Sequence, residues 1–249
     1  YGGATIPRRV AARSLEASHG ERFAWRHVVL TPGATGALAA VLRVVAERGG
    51  EVVVPVPCWL DYPLYLADRG IPARFVPLQR ESHELDLAAL EPALGSDTAA
   101  LLLSQPANPT GVVHAPASLA ALADLLRRRA PRALWISDEA HRDFVASPAP
   151  DLSPAAHHDA TVVVQSLGKR LFLQGQRIGW AAVSPRMPAA DELARDLERA
   201  CRVLGLATPT ALMQRALPKL LETRPDVARV AARRERARDA LRAAGYAVA

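Results

Sequence analysis

An open α/β fold, a mostly parallel sheet with helices on both faces, is what this sequence predicts. Three observations predict it. Short β-branched and apolar runs recur at 51–56, 73–77, 98–104, 133–137, 161–165 and 178–183. Helical apolar spacing fills the gaps, most clearly at 36–47 and 116–129. After Pro188 the strand signal disappears, and 191–202, 209–221 and 225–244 carry helical patterns. A chain that alternates strands with helices crosses over between successive strands, which lays them parallel and puts helices across the sheet.

Each element has a local reason. Run 51–56 holds Val52, Val53, Val54 and Val56, and run 161–165 holds Val162, Val163 and Val164. Near-continuous apolar strands of this kind are covered on two faces. The helix at 36–47 follows Gly33-Ala34-Thr35-Gly36. The last helix sets Arg229, Arg233, Arg234, Arg236, Arg238 and Arg242 against Val230, Ala237 and Leu241, giving one apolar stripe and a solvated basic face. Gly245 stops it, and 245–249 then look like entry into a strand with no partner in the chain. Tyr1 opens as if in mid-protein, so segments are expected beyond both ends.

The 249 residues, half of them hydrophobic, suffice for one large core and part of a second. No apolar run approaches the roughly 20 residues that span a bilayer, and no leader pattern follows Tyr1. Cys58 and Cys201 make no disulfide framework, which favours a reducing cytoplasm. The net charge of +6 is spread along the chain without interleaved aromatics, so neither nucleic acid nor a membrane is an expected partner.

In an open parallel sheet the loops after the carboxyl ends of the strands form the ligand crevice. Lys169 belongs to such a loop. It is one of two lysines among 31 basic residues, in Ser166-Leu167-Gly168-Lys169, eight positions before Arg177. A chain that uses arginine almost throughout but keeps an amine here points to chemistry closed to a permanent guanidinium, such as a Schiff base. Other strand ends carry matching signals. Ala34 and Thr35 open a helix whose free N–H groups favour an anion. Trp59, after Pro57-Cys58, offers a plane for stacking. Asn108, in Asn108-Pro109-Thr110-Gly111, is a side chain that turn chemistry does not require. Asp138, in Asp138-Glu139-Ala140-His141, sets a carboxylate at a strand end. Singly these are a glycine turn, a core tryptophan, a loop and a helix cap; together they fall in order at successive strand ends.

On Asn108-Pro109-Thr110-Gly111, Ser137-Asp138-Glu139, and Ser166 to Lys169 followed by Arg177, the chain resembles the class I/II aminotransferases. These are fold-type I enzymes that use pyridoxal 5′-phosphate (PLP). The resemblance runs from Tyr1 to about Val248 and covers the family's large domain. It implies a mostly parallel seven-stranded sheet sandwiched by helices. Residues 1–224 would form the PLP-binding large domain, and 225–249 a long helix and the start of a truncated small C-terminal domain.

The resemblance also implies roles. Lys169 would bond to the cofactor and move the substrate Cα proton. Asp138 would pair with the ring nitrogen and keep it protonated. Asn108 would donate to the phenolic oxygen, and Trp59 would stack on the ring. Ala34, Thr35, Ser166 and Arg177 would hold the phosphate. Tyr1 would reach across a homodimer interface to the neighbouring subunit's phosphate. Cis peptides are expected before Pro57 and Pro109. The substrate would be a free amino acid, its carboxylate gripped by an arginine beyond Ala249. Lys169 would be partly buried, with positive charge nearby.

His141 stands where many members have Tyr. A His there is similar to β-lyase-type members and to the capreomycidine synthase group, which cyclises a β-hydroxylated arginine. Imidazole can donate to the phenolic oxygen or relay a proton to a departing β-substituent. Three functions follow: a transaminase first, a β-eliminating or cyclising enzyme second, a non-catalytic PLP-sensing regulator third. Other chemistries lack their motifs, with no Gly-x-Ser-x-Gly elbow, Walker loop or Gly-x-Gly-x-x-Gly. His157-His158 are expected as an exposed loop pair rather than metal ligands, Glu139 and Asp143 as structural carboxylates, and Cys58 as a packing residue.

Overall fold

The computed structural model describes residues 1–145 and 148–248. One sheet contains β1 (Val28–Thr31), β2 (Glu51–Val56), β3 (Ala73–Pro77), β4 (Thr98–Ser104), β5 (Leu134–Asp138), β6 (Thr161–Ser166) and β7 (Gly179–Val183). Their order is β1-β7-β6-β5-β4-β2-β3. The pairs β2–β3, β2–β4, β4–β5 and β5–β6 are parallel, while β7 runs antiparallel to both β1 and β6. This is the seven-stranded, mostly parallel sheet expected above.

The helices are α1 (Thr5–His19), α2 (Gly33–Arg48), α3 (Asp61–Asp68), α4 (Leu87–Leu90), α5 (Pro116–Arg129), α6 (Leu167–Arg170), α7 (Ala190–Val203), α8 (Ala211–Glu222) and α9 (Val227–Ala243). They cover the sheet from two sides. Along β5 the side chains alternate, so Leu134 and Ile136 join the core under α2, α3 and α7 while Trp135 joins the one under α5. A third cluster packs α1 and α8 against Val163 and Trp180. Each fully buried Val or Leu in these layers contributes about 1.5–3 kcal/mol of transfer free energy.

Several elements differ from the sequence expectation. β1 has four residues, all buried, and so shows no alternation to mark it. α1 hides its helical pattern because Arg8 occupies the inner face. That guanidinium is accommodated by donating to the carbonyls of Val28 at 2.6 Å and Arg26 at 2.8 Å, and by pairing with Glu198 at 2.8 Å. Gly33 to Gly36 form the first turn of α2 rather than a turn before it. The strand anticipated after Gly245 is absent from residues 246–248, which join no ladder; Ala249 lies outside the described residues. α9 buries none of its residues. Among the described residues no helix is long and apolar enough to cross a membrane.

Candidate active site

Parallel pairing brings the strand ends together. Ser104 ends β4 opposite Asp138 at the end of β5, and Asp138 in turn pairs with Val164 of β6, two residues before Ser166. A cavity of about 190 Å³ opens above them. Ala34, Thr35, Trp59, Asn108, Asp138, His141, Ser166, Lys169 and Arg177 all line it, so nine positions singled out in the sequence converge on one space. A larger cavity of about 570 Å³ lies between α1, α8 and the sheet, but there Arg142 and Arg170 are engaged by Glu139 and Asp143. Convergence of groups, not size, marks the site.

Tyr1 is not among the lining residues of its own chain. It is 58% exposed, with the Arg202 guanidinium 4.8 Å from its ring centre. The peptides before Pro57 and Pro109 are cis, and so is that before Pro106.

The amino end of α2 is a built anion cradle. Its first N–H groups, including those of Ala34 and Thr35, have no partner within the helix, and no acidic side chain occupies the first turn. Gly33 has φ +81°, and a Cβ there would stand 2.5 Å from Nη2 of Arg177. The guanidinium therefore lies over bare backbone. Gly179 permits the approach from below, since a Cβ on it would come within 2.9 Å of the Gly33 backbone. Arg177 is held by donating from Nη1 to the Gln174 carbonyl at 2.7 Å. Ser166 caps α6, accepting from the Gly168 N–H at 3.1 Å.

Asp138 is buried, with Oδ2 accepting from the Tyr62 hydroxyl at 2.7 Å and Oδ1 from the Ala140 N–H at 3.1 Å. Burial pushes its carboxyl above the usual range, and these two donors pull against that. His141 is half-buried and held below the ordinary histidine range by burial, with the Lys169 charge adding to the effect and Asp138 opposing it.

Lys169 departs from expectation in being exposed rather than partly buried. α6 lies on the cavity rim, and its inward side is taken by Leu167, Gly168 and Arg170. Arg170 anchors that turn, donating to the carbonyls of Leu221 at 2.8 Å and Thr223 at 2.7 Å. His158 is a second correction. It is 4% exposed, because its N–H closes a turn onto the Pro154 carbonyl and its ring packs 6.0 Å from that of Trp135. Glu139 is a buried structural group, and burial pushes the half-buried Cys58 thiol up.

Sequence reasoning missed Tyr62, wholly buried beneath Asp138, and Ser104, Gly168 and Gln174 in the lining. Tyr62 follows Trp59 by three positions, which puts both on one side of a helical start. That spacing is a faint signal. The partner across the fold cannot be read from it.

The residues fit PLP. An anion cradle, a buried carboxylate for the ring nitrogen, an amide for the phenolic oxygen, an indole for the ring face and an exposed amine for the aldehyde carbon surround one cavity.

Comparison with known proteins agrees. Residues 12–249 match the family model described as aminotransferase class I and II. An aromatic amino acid aminotransferase of Thermobifida fusca is 30% identical over 248 residues, covering 96% of this chain and 65% of that protein. Nicotianamine aminotransferase 1 of Oryza sativa is 27% identical over 224 residues, 88% of this chain and 45% of that protein. The chain spans about half the length of the curated relatives it matches, 45% of the rice protein and 65% of the Thermobifida one. An aminotransferase from Eubacterium rectale superposes with a TM-score of 0.91 at 25% identity, covering 99% of this chain and 63% of that one. N-succinyldiaminopimelate aminotransferase from Mycobacterium tuberculosis gives 0.85 at 30% identity, covering 99% and 65%. The chain belongs to the class I and II aminotransferase family, whose cofactor is PLP.

Proposed function

We propose that this chain is the cofactor-binding part of an enzyme that transfers the amino group of a free amino acid. The observation that carries the reading is the meeting of Lys169, Asp138, Asn108, Arg177 and the α2 amino end around one cavity. Bound PLP supplies an electron sink for the pair left when a Cα bond breaks. The residues do the rest. Asp138 would pair with the ring nitrogen and favour its protonated form. Asn108 would donate its amide N–H to the phenolic oxygen, Trp59 would stack on the ring, and Arg177 with the Ala34 and Thr35 amides would hold the phosphate. Nζ of Lys169 would be the base that takes the proton from the substrate Cα.

The homodimer belongs to this reading, with Tyr1 reaching the neighbouring subunit's phosphate. Its support is an exposed Tyr1 outside its own cavity. Residues 1–224 are assigned to the large domain and 225–249 to the start of the small one, which suits an α9 that buries nothing.

His141 favours a second reading. A half-buried imidazole beside Lys169 and Asp138, its pKa lowered by burial, suits a relay to a β-substituent, giving elimination or cyclisation. One experiment separates the two. PLP-loaded protein is given a panel of amino acids, β-hydroxyarginine included, with and without an oxo acid. Turnover beyond one equivalent without oxo acid overturns simple transamination; turnover that waits for oxo acid overturns the lyase or cyclase. A protein that binds PLP but turns over nothing fits the sensor. Lys169→Ala should abolish the visible absorbance of the bound cofactor, and an unchanged spectrum sinks the assignment of the amine.

A further inference from the structure

We infer that Tyr62 is a positioning residue, whose hydroxyl keeps Asp138 ionised and aimed so that the carboxylate can hold a protonated ring nitrogen. The inference rests on the PLP reading. Tyr62 opens α3 from beneath the cavity, is 0% exposed, and donates to Asp138 Oδ2 at 2.7 Å. The Ala140 N–H occupies Oδ1 at 3.1 Å. A carboxylate accepts about four hydrogen bonds, so acceptor sites remain for a ligand on the cavity side that Asp138 lines.

The ionisation argument is one of competition. A carboxyl group buried at this depth favours its neutral form, and a neutral acid opposite a ring nitrogen cannot stabilise positive charge on it. The charged and titratable groups facing Asp138 are few. From its own strand end come Glu139, whose negative charge opposes ionisation, and His141, which favours it. From α6, Lys169 acts on His141. From α3 comes Tyr62, which among the described residues is the side chain that hydrogen-bonds the carboxylate directly. Cys58 lies near the Tyr62 hydroxyl, with its thiol pushed up by burial and so uncharged at neutral pH. Tyr62 itself stays protonated, because burial and the Asp138 charge push its phenol well up. It is therefore a donor over the whole working range.

A second contact ties Tyr62 to the ring's other support. Its aromatic ring meets Trp59 edge-on, 5.5 Å between centres at 89°, and its N–H donates to the Trp59 carbonyl at 3.1 Å. One side chain thus registers the stacking plane against the carboxylate.

Tyr62→Phe tests this, keeping the ring and its Trp59 contact while removing the hydroxyl. In PLP-loaded protein, the pH midpoint of the visible band from the Lys169–cofactor linkage should rise by about one unit. Removing positive charge from the ring makes the nearby linkage nitrogen easier to protonate. The rate kcat should fall about tenfold with KM little changed. Adding Tyr62→Phe to Asp138→Asn should change neither quantity further, since the hydroxyl acts through the carboxylate. Full additive losses in the double variant, or an unmoved midpoint in the single one, overturn the inference. Should Tyr62→Phe fold poorly, Tyr62→3-fluorotyrosine supplies a stronger donor and must move the midpoint down; an unmoved midpoint there overturns it equally. A wild-type protein with no visible band from bound PLP refutes the underlying reading instead, which keeps the two failures distinct.

Discussion

Asp138 and Glu139 are adjacent in the chain, equally hidden, and chemically opposite. Asp138 continues the row of Leu134 and Ile136 toward α3 and the cavity, whereas Glu139 follows Ser137 toward α1. Glu139 is fully provided for. His19 Nε2 lies 2.9 Å away, Ser137 donates at 2.9 Å, Ser153 donates as well, and Arg142 stands 3.5 Å off. Burial alone would raise its carboxyl, but His19, Arg142 and Ser153 hold it at about 2. Asp138 has two donors and an open side, and burial wins. A buried carboxylate with every lone pair engaged is a brace, and one left partly free is available to a ligand. The two-residue period of a strand separates the roles.

Breaking each in turn sharpens the contrast. Asp138→Asn should lower kcat/KM on the order of a thousandfold while leaving the protein folded. Without cofactor it should also stabilise the protein at neutral pH. The raised Asp138 pKa makes folding favour the protonated acid, so stability falls as pH rises through its titration, and the amide removes that loss. Denaturant melts with and without PLP would show it; a less stable Asp138→Asn protein refutes the contrast.

Glu139→Gln should do the reverse, costing about 3 kcal/mol of stability while the folded fraction keeps its cofactor spectrum. The sign in acid is fixed by the depressed pKa. Stability lent by Glu139 is complete above its unfolded value of 4.5 and is lost as pH falls toward about 2. That slope, worth roughly 3 kcal/mol in all, should vanish in the variant. Parallel acid titrations of wild type and variant would break the argument. The smallest effect is expected for Ser153→Ala, about 1 kcal/mol from one lost donor, read as a shift of denaturant midpoint.

How much of this was legible depends on distance along the chain. Lys169, Asp138 and Asn108 could be placed together because parallel strands bring their carboxyl ends to one edge, and the resemblance supplied the roles. β1 was illegible, since four buried residues have no period to display. α1 was masked by Arg8, an inward charge satisfied by carbonyls and a Glu198 carboxylate that only the fold brings near. Tyr62 meets Asp138 across 76 positions, a contact no local pattern encodes. The exposure of Lys169 and the burial of His158 likewise depend on what packs beside them.

The bare backbone beneath Arg177 has a consequence for which substitutions the site tolerates. In the proposed reading positions 34 and 35 serve a ligand through their amides, which leaves the exposed Thr35 side chain free to vary while half-buried Ala34 packs on the core. Position 33 offers an absence: a single methyl there would collide with the guanidinium and meet a dihedral that L-residues avoid. Variation in this loop should therefore be uneven, permissive where atoms do the binding and unforgiving where a missing atom makes room.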